Sequence, residues 1–495
     1  MNTPKSIAVC YGDGIGPEIM ESTLSICKSA GFKHTIEVIT LGKNLYDKGY
    51  KTGMSEEAVS VLKRVPVLLK APLTTVQGEG MRSVNVTLRK MMGLFVNVRP
   101  SNNLIFNHSK NINVVVIREN SEDIYSGIEY RNSYDTRTSI KIITEQASYR
   151  ICDYAFRFAQ QNGRKKVSCF VKDNIMKMTD GIFHKMFLEV ANHYPDIEKE
   201  VLILDIAMAN LAKYPERFDV IVTTNLYGDV VSDVCAELSG SIGIAGSVNL
   251  GTKYAMFEAV HGSAPKIANK NIANPMGMVN AAIMMLNYLN ENHISEKILR
   301  AWMQCVKNKW LTRDLVDNPK VALNTQDFTD TMIKCIRDDN KTSVNIDAHS
   351  INIPDTMQTD TSDYYSRVSE YIKHRTLVGV DIYVDFTGNL NKILEIINTF
   401  DKINGKNVSI DLVPINESIF LNSILSKGME LWPTVLLTND YTTDYITCRF
   451  IASKNINFNN HDITALMNAF EENSVNIVKI ETLYISPKRD MGFAN

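Results

Sequence analysis

The stretch Val220-Ile-Val-Thr-Thr-Asn-Leu-Tyr-Gly-Asp-Val-Val-Ser-Asp233 contains an apolar run followed by two aspartates four residues apart. The run Val220–Thr224 predicts a buried strand, and Val-Cys-Ala-Glu-Leu after Asp233 predicts a helix. Residues four apart share one face of a helix, so Asp229 and Asp233 can both offer oxygens to one hard cation. A second explanation is a helix N-terminus, which favours acidic side chains without any metal.

The composition limits the class of protein. Apolar residues make up 44% of the chain and charged residues 22%, as in ordinary globular proteins. A length of 495 residues predicts two or three domains. A net charge of −2 argues against nucleic acid or an anionic membrane as partner. No apolar run approaches the roughly 18 residues of a membrane span.

The N-terminus and the cysteines favour a reducing compartment. The first predicted strand, Ser6–Tyr11, begins almost at the N-terminus, so we expect no signal or transit peptide. The eight cysteines include no C-x-x-C pair, which argues against a zinc site or a disulfide framework. The expected location is therefore cytoplasmic.

Predicted strands and helices alternate up to about residue 340, which predicts an α/β domain over 1–340. Residues 341–372 are polar with little apolar periodicity and predict a linker. A C-terminal domain is predicted over 373–495. Besides Val220–Thr224, the runs that predict strands in the first domain are Ser6–Tyr11, Ile36–Leu41, Val65–Lys70, Ile112–Arg118, Lys166–Lys172 and Val201–Asp205.

The C-terminal domain has the element order β-α-β-β-α-β. That order predicts a ferredoxin-like α+β fold, here with a long insertion at 415–444 between the middle strands. The predicted elements are strand Leu377–Phe386, helix Leu390–Ile403, strand Val408–Pro414, strand Tyr445–Ala452, helix Asp462–Glu472 and strand Asn476–Ser486.

Gly12-Asp-Gly-Ile-Gly-Pro-Glu18 lies between the first strand and the first helix, where a dinucleotide-binding fingerprint would lie. The fingerprint requires G-x-G-x-x-G, and the spacing here is G-x-G-x-G-P. Pro17 suits the first turn of a helix. The motif therefore predicts a tight βα turn and not a Rossmann nucleotide site.

Taken with seven further motifs, this segment resembles the β-decarboxylating family of isocitrate and isopropylmalate dehydrogenases over residues 6 to about 336. The motifs are Leu73-Thr-Thr75, Ser83-Val-Asn-Val-Thr-Leu-Arg89, Val98-Arg-Pro100, Arg118-Glu-Asn-Ser-Glu-Asp-Ile-Tyr125, Val171-Lys-Asp-Asn-Ile-Met-Lys177, His261-Gly-Ser-Ala-Pro265 and Ala273-Asn-Pro275, beside Asn225–Asp229. The resemblance implies a large subdomain (about 1–95 and 250–340) and a small subdomain (96–249) that share one sheet, which is not the Rossmann fold. It also implies a homodimer whose active site is completed by the second subunit.

The resemblance assigns roles to charged residues. Arg89, Arg99 and Arg118 match the arginines that bind the carboxylates of the substrate, and a guanidinium pairs with a carboxylate through two parallel hydrogen bonds. Asp229 and Asp233 match ligands of Mg²⁺ or Mn²⁺. The third metal ligand is predicted to be Asp205, at the end of a strand, and in the family its equivalent reaches across from the partner subunit.

The implied reaction is oxidation of a 2-hydroxy acid followed by loss of CO₂. Lys172 matches the lysine that takes the hydroxyl proton, and a lysine near cations has the lowered pKa that a base needs. Tyr125 matches the tyrosine that protonates the enol. An amphipathic core tyrosine is the alternative explanation for Tyr125.

Ser83 and Asn85 point to isocitrate as the substrate. Family members that take isopropylmalate have apolar residues here, because an unpaired buried hydroxyl or amide costs on the order of 1–3 kcal/mol. Homoisocitrate stays a competitor. The serine that matches Ser83 can be phosphorylated in bacterial isocitrate dehydrogenases, which would place negative charge where the substrate carboxylate binds.

The cofactor is predicted from the residue after His-Gly-Ser-Ala-Pro. Family members that use NAD have Asp at this position; Lys266 could instead pair with the 2′-phosphate of NADP. Ile267 departs from the NADP pattern, which has Tyr at this position. The positive charge of Lys266 decides for NADP, and NAD is the alternative. Glu79 is an unexplained charge beside the nicotinamide. The predicted cofactor-binding residues are Thr74, Thr75, Asn174, His261, Gly262, Ser263, Ala264, Pro265, Lys266, Ile267, Asn274 and Arg313.

Two further alternatives stay open. The C-terminal domain resembles the extra domain of a bacterial subgroup and is predicted to stabilise a dimer, with effector binding as the alternative. The chain itself could be a non-catalytic regulatory subunit. Such subunits typically lose ligand or acid–base positions, all of which are present here, so a catalytic homodimer is favoured.

Overall fold

The computed structural model describes residues 6–75, 78, 83–103, 111–338, 351–356, 362–385, 402–403, 406–410, 445–452, 458–486 and 489–490. The chain divides into two compact units, one of Met1–Ser126 with Lys141–Thr359 and one of Gly127–Ile140 with Asp360–Asn495. Glu79, the predicted insertion at 415–444 and most of the predicted helix Leu390–Ile403 lie outside the described residues.

Ten strands of the first unit form one sheet in the order β2-β1-β3-β12-β11-β4-β5-β10-β8-β9. Most consist of apolar, β-branched residues buried on both faces, as strands covered by helices must be. The strands up to residue 259 are β1 Ser6–Cys10, β2 Thr35–Val38, β3 Val67–Lys70, β4 Val96–Asn102, β5 Asn113–Glu119, β6 Glu129–Arg131, β7 Arg137–Ser139, β8 Lys166–Val171, β9 Glu198–Ile203, β10 Val220–Thr223, β11 Gly246–Leu250 and β12 Ala255–Ala259.

The sheet has two parallel parts joined by antiparallel strands. Strands β2, β1, β3 and β12 are parallel, as are β5, β10, β8 and β9. Strands β11 and β4 join them through antiparallel pairs. This mixed order is not that of a Rossmann fold, and it confirms the predicted fold class of two α/β subdomains sharing one sheet.

The described residues of the first unit include eleven α-helices. The helix α9 is buried along most of its length and packs against β11 and β12, so it forms the centre of the main core. The helices are α1 Gly16–Ala30, α2 Lys43–Asp47, α3 Glu56–Arg64, α4 Val84–Met91, α5 Glu145–Gln161, α6 Thr179–Ala191, α7 Leu204–Lys213, α8 Asn225–Leu238, α9 Met276–Tyr288, α10 Asn292–Lys307 and α11 Thr325–Asp338. In the described part of the chain, no helix is both long and apolar enough to cross a bilayer.

The second unit contains a six-stranded antiparallel sheet and, separately, the hairpin β6–β7. Its other elements are α12 Ser362–His374, β13 Thr376–Asp385, β14 Lys402–Ile403, β15 Lys406–Ile410, β16 Tyr445–Ala452, α13 Asn460–Glu472, β17 Ile477–Ser486 and β18 Arg489–Asp490. The sheet order is β14-β15-β16-β13-β17-β18. The four longest strands therefore have the order 2-3-1-4 of a ferredoxin-like fold, which confirms the α+β prediction.

The predicted linker 341–372 overlaps the helix α12 at its end, and its role as a linker stays a prediction. One local prediction was wrong. Asp205 does not end a strand. Strand β9 stops at Ile203, and Asp205 is the second residue of α7, whose N-terminus has no side-chain cap to mark it in the sequence.

Candidate active site

Four charged side chains meet where β4, β5 and the start of α8 come together. Arg118 Nη1 lies 2.5 Å from Asp229 Oδ1, and Arg99 Nη2 lies 3.1 Å from the same oxygen. Arg99 Nη1 lies 3.3 Å from Asp233 Oδ1. The two aspartates therefore share Arg99, which places both on one face of α8 as their spacing predicts.

Arg118 and Tyr125 are fixed around Asp229. The Arg118 side chain is 1% exposed, and its Nε donates to the backbone and side-chain oxygens of Asn225 at 2.9 and 3.1 Å. Tyr125 donates its hydroxyl to Asp229 Oδ2 at 2.7 Å. Burial raises the pKa of Tyr125, with Arg118 opposing the shift, so the phenol is held protonated. A protonated phenol beside charged groups is a candidate proton donor.

The two aspartates differ in their electrostatics. Burial alone would raise the pKa of Asp229, but Arg118 and Arg99 hold it below its ordinary value. Burial raises the pKa of Asp233, and Arg99 offsets this only in part. Burial, together with the neighbouring Arg99 and Arg89, lowers the pKa of Arg118. These shifts reflect three positive charges concentrated in a partly buried site, where an anionic ligand is stabilised.

Arg89 lies in α4 and pairs with a buried glutamate that the sequence analysis missed. Its Nη2 donates to Glu258 Oε1 at 3.1 Å, and Lys70 Nζ lies 2.8 Å from Glu258 Oε2. Burial would raise the pKa of Glu258, but Lys70 and Arg89 hold it well below its ordinary value. Lys70 and Glu258 are register partners in β3 and β12. The available signal was a single charged residue in each of two otherwise apolar strands.

Ser83 and Asn85 lie at the start of α4, on the same helix as Arg89. Thr75 donates its hydroxyl to Ser83 Oγ at 3.3 Å. Oδ1 of Asn85 and Nε of Arg89 are buried without a hydrogen-bond partner among the described residues. Buried polar atoms are normally paired, so these two point to a polar ligand.

Lys172 and Asp205 form a second, separate group. Lys172 Nζ lies 2.9 Å from Asp205 Oδ1, and this hydrogen bond lowers the pKa of Asp205. The Asp205 side chain is 71% exposed. Among the described residues of one chain, no group of three potential metal ligands is assembled. In a single chain, Asp229 and Asp233 therefore lie together. The third predicted metal ligand, Asp205, pairs instead with the predicted base Lys172.

Apolar side chains are exposed beside both groups. Ile175, Ile203 and Ile206 lie near Lys172 and Asp205 in the sequence, and Val230 adjoins Asp229. Their exposed fractions are 68%, 37%, 52% and 54%. Exposed apolar residues are candidates for a protein–protein contact surface where they form a contiguous patch.

The glycine motif Gly12–Glu18 packs against the segments that contain Thr74 and Ser263. Gly14 has a φ of +60°, and a Cβ there would lie 2.0 Å from the carbonyl oxygen of Ser263. Asp13 Oδ2 accepts a hydrogen bond from the Thr74 amide at 2.8 Å, and the hydroxyls of Thr74 and Ser263 lie 2.8 Å apart. The motif thus joins two segments predicted to bind the cofactor, as the βα turn it was predicted to be.

The other predicted cofactor residues fall into three groups. His261 Nε2 is buried without a partner among the described residues, and burial lowers the pKa of His261, which favours the neutral ring. The side chain of Asn274 is hydrogen-bonded within the chain, because it donates to Asp314 and accepts from the amide of Met276. The remaining predicted residues are exposed or half-buried, namely Thr75, Asn174, Gly262, Ala264, Pro265, Lys266, Ile267 and Arg313.

Comparison with known proteins identifies the family. Residues 6–332 match the isocitrate/isopropylmalate dehydrogenase family, and residues 375–491 match the C-terminal domain of bacterial isocitrate dehydrogenase. The chain belongs to the isocitrate/isopropylmalate dehydrogenase family. The matched C-terminal domain places it beside the bacterial isocitrate dehydrogenases of that family, as the sequence resemblance predicted.

Two similar proteins and one solved structure illustrate the relationship within the family. A Rickettsia felis protein named isocitrate dehydrogenase (NADP) is 41% identical over 97% of this chain and 96% of its own length. A Thermus thermophilus protein of the same name is 36% identical over 90% of this chain and 87% of its own. A Thermus thermophilus crystal structure superposes with a TM-score of 0.86 at 32% identity, covering 99% of this chain and 95% of that one.

Proposed function

We propose that this chain oxidises isocitrate with NADP and releases CO₂ and 2-oxoglutarate. The observation that carries the proposal is the cluster of Arg89, Arg99 and Arg118 at one site with Tyr125. The names of the relatives support it, since those covering almost the whole chain are NADP-dependent isocitrate dehydrogenases.

The charges of the site match those of the proposed substrate. In this structure Arg99 and Arg118 pair with Asp229 and Asp233, whereas Arg89 pairs with Glu258. Isocitrate carries three carboxylates, so it can replace Asp229 and Asp233 as the partner of the guanidinium groups. The aspartates are then free for a divalent cation, which keeps every buried charge paired.

The residues present fit Mg²⁺ or Mn²⁺. Both ions prefer carboxylate oxygens, which Asp229, Asp233 and Asp205 would supply. When bound, the ion would stabilise negative charge that develops on the substrate, and NADP would accept the hydride. The two aspartates that share Arg99 come from one chain, and Asp205 would come from another.

Two side chains would move protons. Lys172 would take the proton of the C2 hydroxyl during oxidation, and its hydrogen bond to Asp205 holds the amine in one orientation. Tyr125 would protonate C3 after CO₂ leaves, because its raised pKa keeps a proton available and Asp229 orients the hydroxyl. The substrate arginines would hold isocitrate between these two groups.

A homodimer would complete this site. Lys172 and Asp205 form one group and Tyr125, Asp229 and Asp233 another, with no described contact between them in one chain. The exposed Ile175, Ile203, Ile206 and Val230 adjoin both groups. A two-fold axis would place the group of Lys172 and Asp205 from each chain against the group that contains Tyr125 in the other chain. The dimer would then have two equal sites. The C-terminal unit's role in this dimer and a cytoplasmic location stay predictions.

Lys266 is proposed to select NADP. It is exposed and forms no ion pair with the described residues, so its ammonium is available to a 2′-phosphate. We expect Lys266→Asp to lower kcat/KM for NADP about 10- to 100-fold, since a charge-assisted contact contributes roughly 1.5–3 kcal/mol. The value for NAD should change much less. Lys270→Asp, at another exposed lysine nearby, is the matched control; an equal loss there would contradict a specific role for Lys266.

The experiment that tests the function compares initial rates with isocitrate and Mg²⁺ in the presence of NADP or NAD. The proposal predicts turnover that prefers NADP, is abolished by EDTA and returns when Mg²⁺ or Mn²⁺ is added. Preference for NAD would keep the reaction and overturn the cofactor assignment. A folded chain without turnover would contradict the proposal and favour a regulatory subunit or another 2-hydroxy acid.

A further inference from the structure

A buried charged cluster of Lys141, Asp123 and Asp180 lies outside the groups proposed to bind or react with the substrate. Lys141 Nζ donates to Asp180 Oδ1 at 2.7 Å and lies 4.0 Å from Asp123 Oδ1. Both aspartate side chains have 0% exposure, and Lys141 is 15% exposed. Buried carboxylates are normally paired and hydrogen-bonded, and the Lys141 ammonium pairs with both of these.

The second oxygens of the two aspartates bind the backbone of catalytic segments. Asp180 Oδ2 accepts the amide hydrogen of Lys172 at 2.7 Å. Asp123 Oδ2 accepts the amide hydrogen of Leu226 at 3.0 Å, in the first turn of the helix that carries both metal-binding aspartates. Each carboxylate thus connects Lys141 to one of the chain's two catalytic groups, which serve different active sites in the proposed dimer.

The same cluster also sets the turn before Tyr125. Asp123 has a φ of +70°, the left-handed region, although it is not glycine. Its Oδ1 accepts the amide hydrogen of Ile124 at 2.8 Å, and its own amide donates to Ile142 O at 2.8 Å. A strained residue persists only where its surroundings fix it, as these contacts do.

Lys141 also contacts the metal-binding helix directly. Its Nζ lies 4.4 Å from the ring centre of Tyr227 and 3.4 Å from the Tyr227 hydroxyl. Tyr227 is in α8, two residues before Asp229. The segments that contain Asp123, Asp180 and Tyr227 therefore converge on the side chain of Lys141.

We propose that Lys141 is a positioning residue that fixes, within one chain, the proton donor and metal-binding helix of one active site and the proton acceptor that the same chain contributes to the other site of the dimer. Without its charge, the two aspartates would be left as unpaired buried carboxylates, and the Tyr125 turn and the Lys172 backbone would shift. The inference rests on the proposed function, because it assigns a geometric role within that reaction.

The expected result for Lys141→Met is a kcat about 100-fold lower with KM for isocitrate nearly unchanged. Displacements near 1 Å have effects of that size on the chemical step. The three substrate arginines form no ion pair with Asp123 or Asp180, so ground-state binding should persist. Lys141→Arg retains the charge and should recover most of the lost kcat.

Lys166→Met is the matched control. Lys166 begins the strand β8, whose other end precedes Lys172, and it pairs with Glu200 at 3.5 Å. Its side chain is 16% exposed, close to the value for Lys141. The same substitution at the opposite end of the same strand should lower the thermal midpoint without lowering kcat more than about twofold, since it displaces no catalytic segment.

Hydrogen–deuterium exchange on the same three variants gives a readout that does not need activity. Lys141→Met should accelerate exchange at 123–126, 172–178 and 225–233 together, and Lys166→Met at none of them. An equal loss of kcat in Lys141→Met and Lys166→Met, a loss that appears only in KM, or faster exchange confined to the neighbourhood of residue 141 would overturn the inference. If the unmodified chain does not oxidise isocitrate, the proposed function fails, and exchange still decides whether Lys141 joins the three segments.

Discussion

Lys172→Met is expected to lower the rate of isocitrate oxidation by a factor of about 10²–10⁴, the usual contribution of a general base. The loss should fall on the oxidation step, because the amine is the proposed acceptor of the hydroxyl proton. Stopped-flow absorbance would show no rapid formation of NADPH in the first turnover. When the β-keto acid is supplied directly, this variant should still decarboxylate it.

Lys166→Met is again the control for Lys172→Met, since it removes an amine from the other end of the same strand. It should retain normal first-turnover kinetics. Rapid NADPH formation by Lys172→Met, with only a slow steady state, would show that Lys172 acts after oxidation and would contradict its assignment as the base.

Tyr125→Phe is expected to lower kcat by a similar factor of about 10²–10⁴ but at a later step. Removing the hydroxyl deletes the donor that protonates C3 while leaving Lys172 intact. NADPH should therefore form rapidly in the first turnover, in an amount near one per active site, and then slow. Release of 2-oxoglutarate, followed by quench and chromatography, should lag behind it.

Tyr194→Phe controls for the loss of a tyrosine hydroxyl that donates to an aspartate. The Tyr194 hydroxyl donates to Asp153 Oδ1 at 2.9 Å, in a contact that includes no predicted site residue. This variant should keep both phases at normal rates. Loss of the rapid phase in Tyr125→Phe would mean that the hydroxyl is needed for oxidation or for orienting Asp229, and not for the final protonation.

Much of the fold could be predicted because burial leaves a direct pattern in the sequence. The central strand Val220–Thr223 is a continuous apolar run, and the structure ends it one residue before the prediction. The start of α7 was missed for a physical reason. The run Val201-Leu-Ile-Leu204 stays apolar through the turn, and no capping side chain marks the change from strand to helix.

The site was predictable as a set of residue types but not as a geometry. Motifs identified Arg118, Asp229 and Lys172, yet only the structure shows that Lys172 lies with Asp205 and apart from the other two. The pairing of Glu258 with Lys70 depends on the register of strands far apart in the chain. Spacing along one element is visible in a sequence, whereas register between elements is set by packing.

The central claim is that each active site is built from two copies of the chain, and mixed dimers test it most directly. Lys172→Met and Tyr125→Phe chains, each nearly inactive alone, would be dissociated, mixed and reassembled. Random pairing makes half of the dimers mixed, and each mixed dimer has one intact site, so we predict about a quarter of the activity of the unmodified protein. Activity that stays at the mean of the two separate variants, in dimers shown to have exchanged, would contradict the shared site.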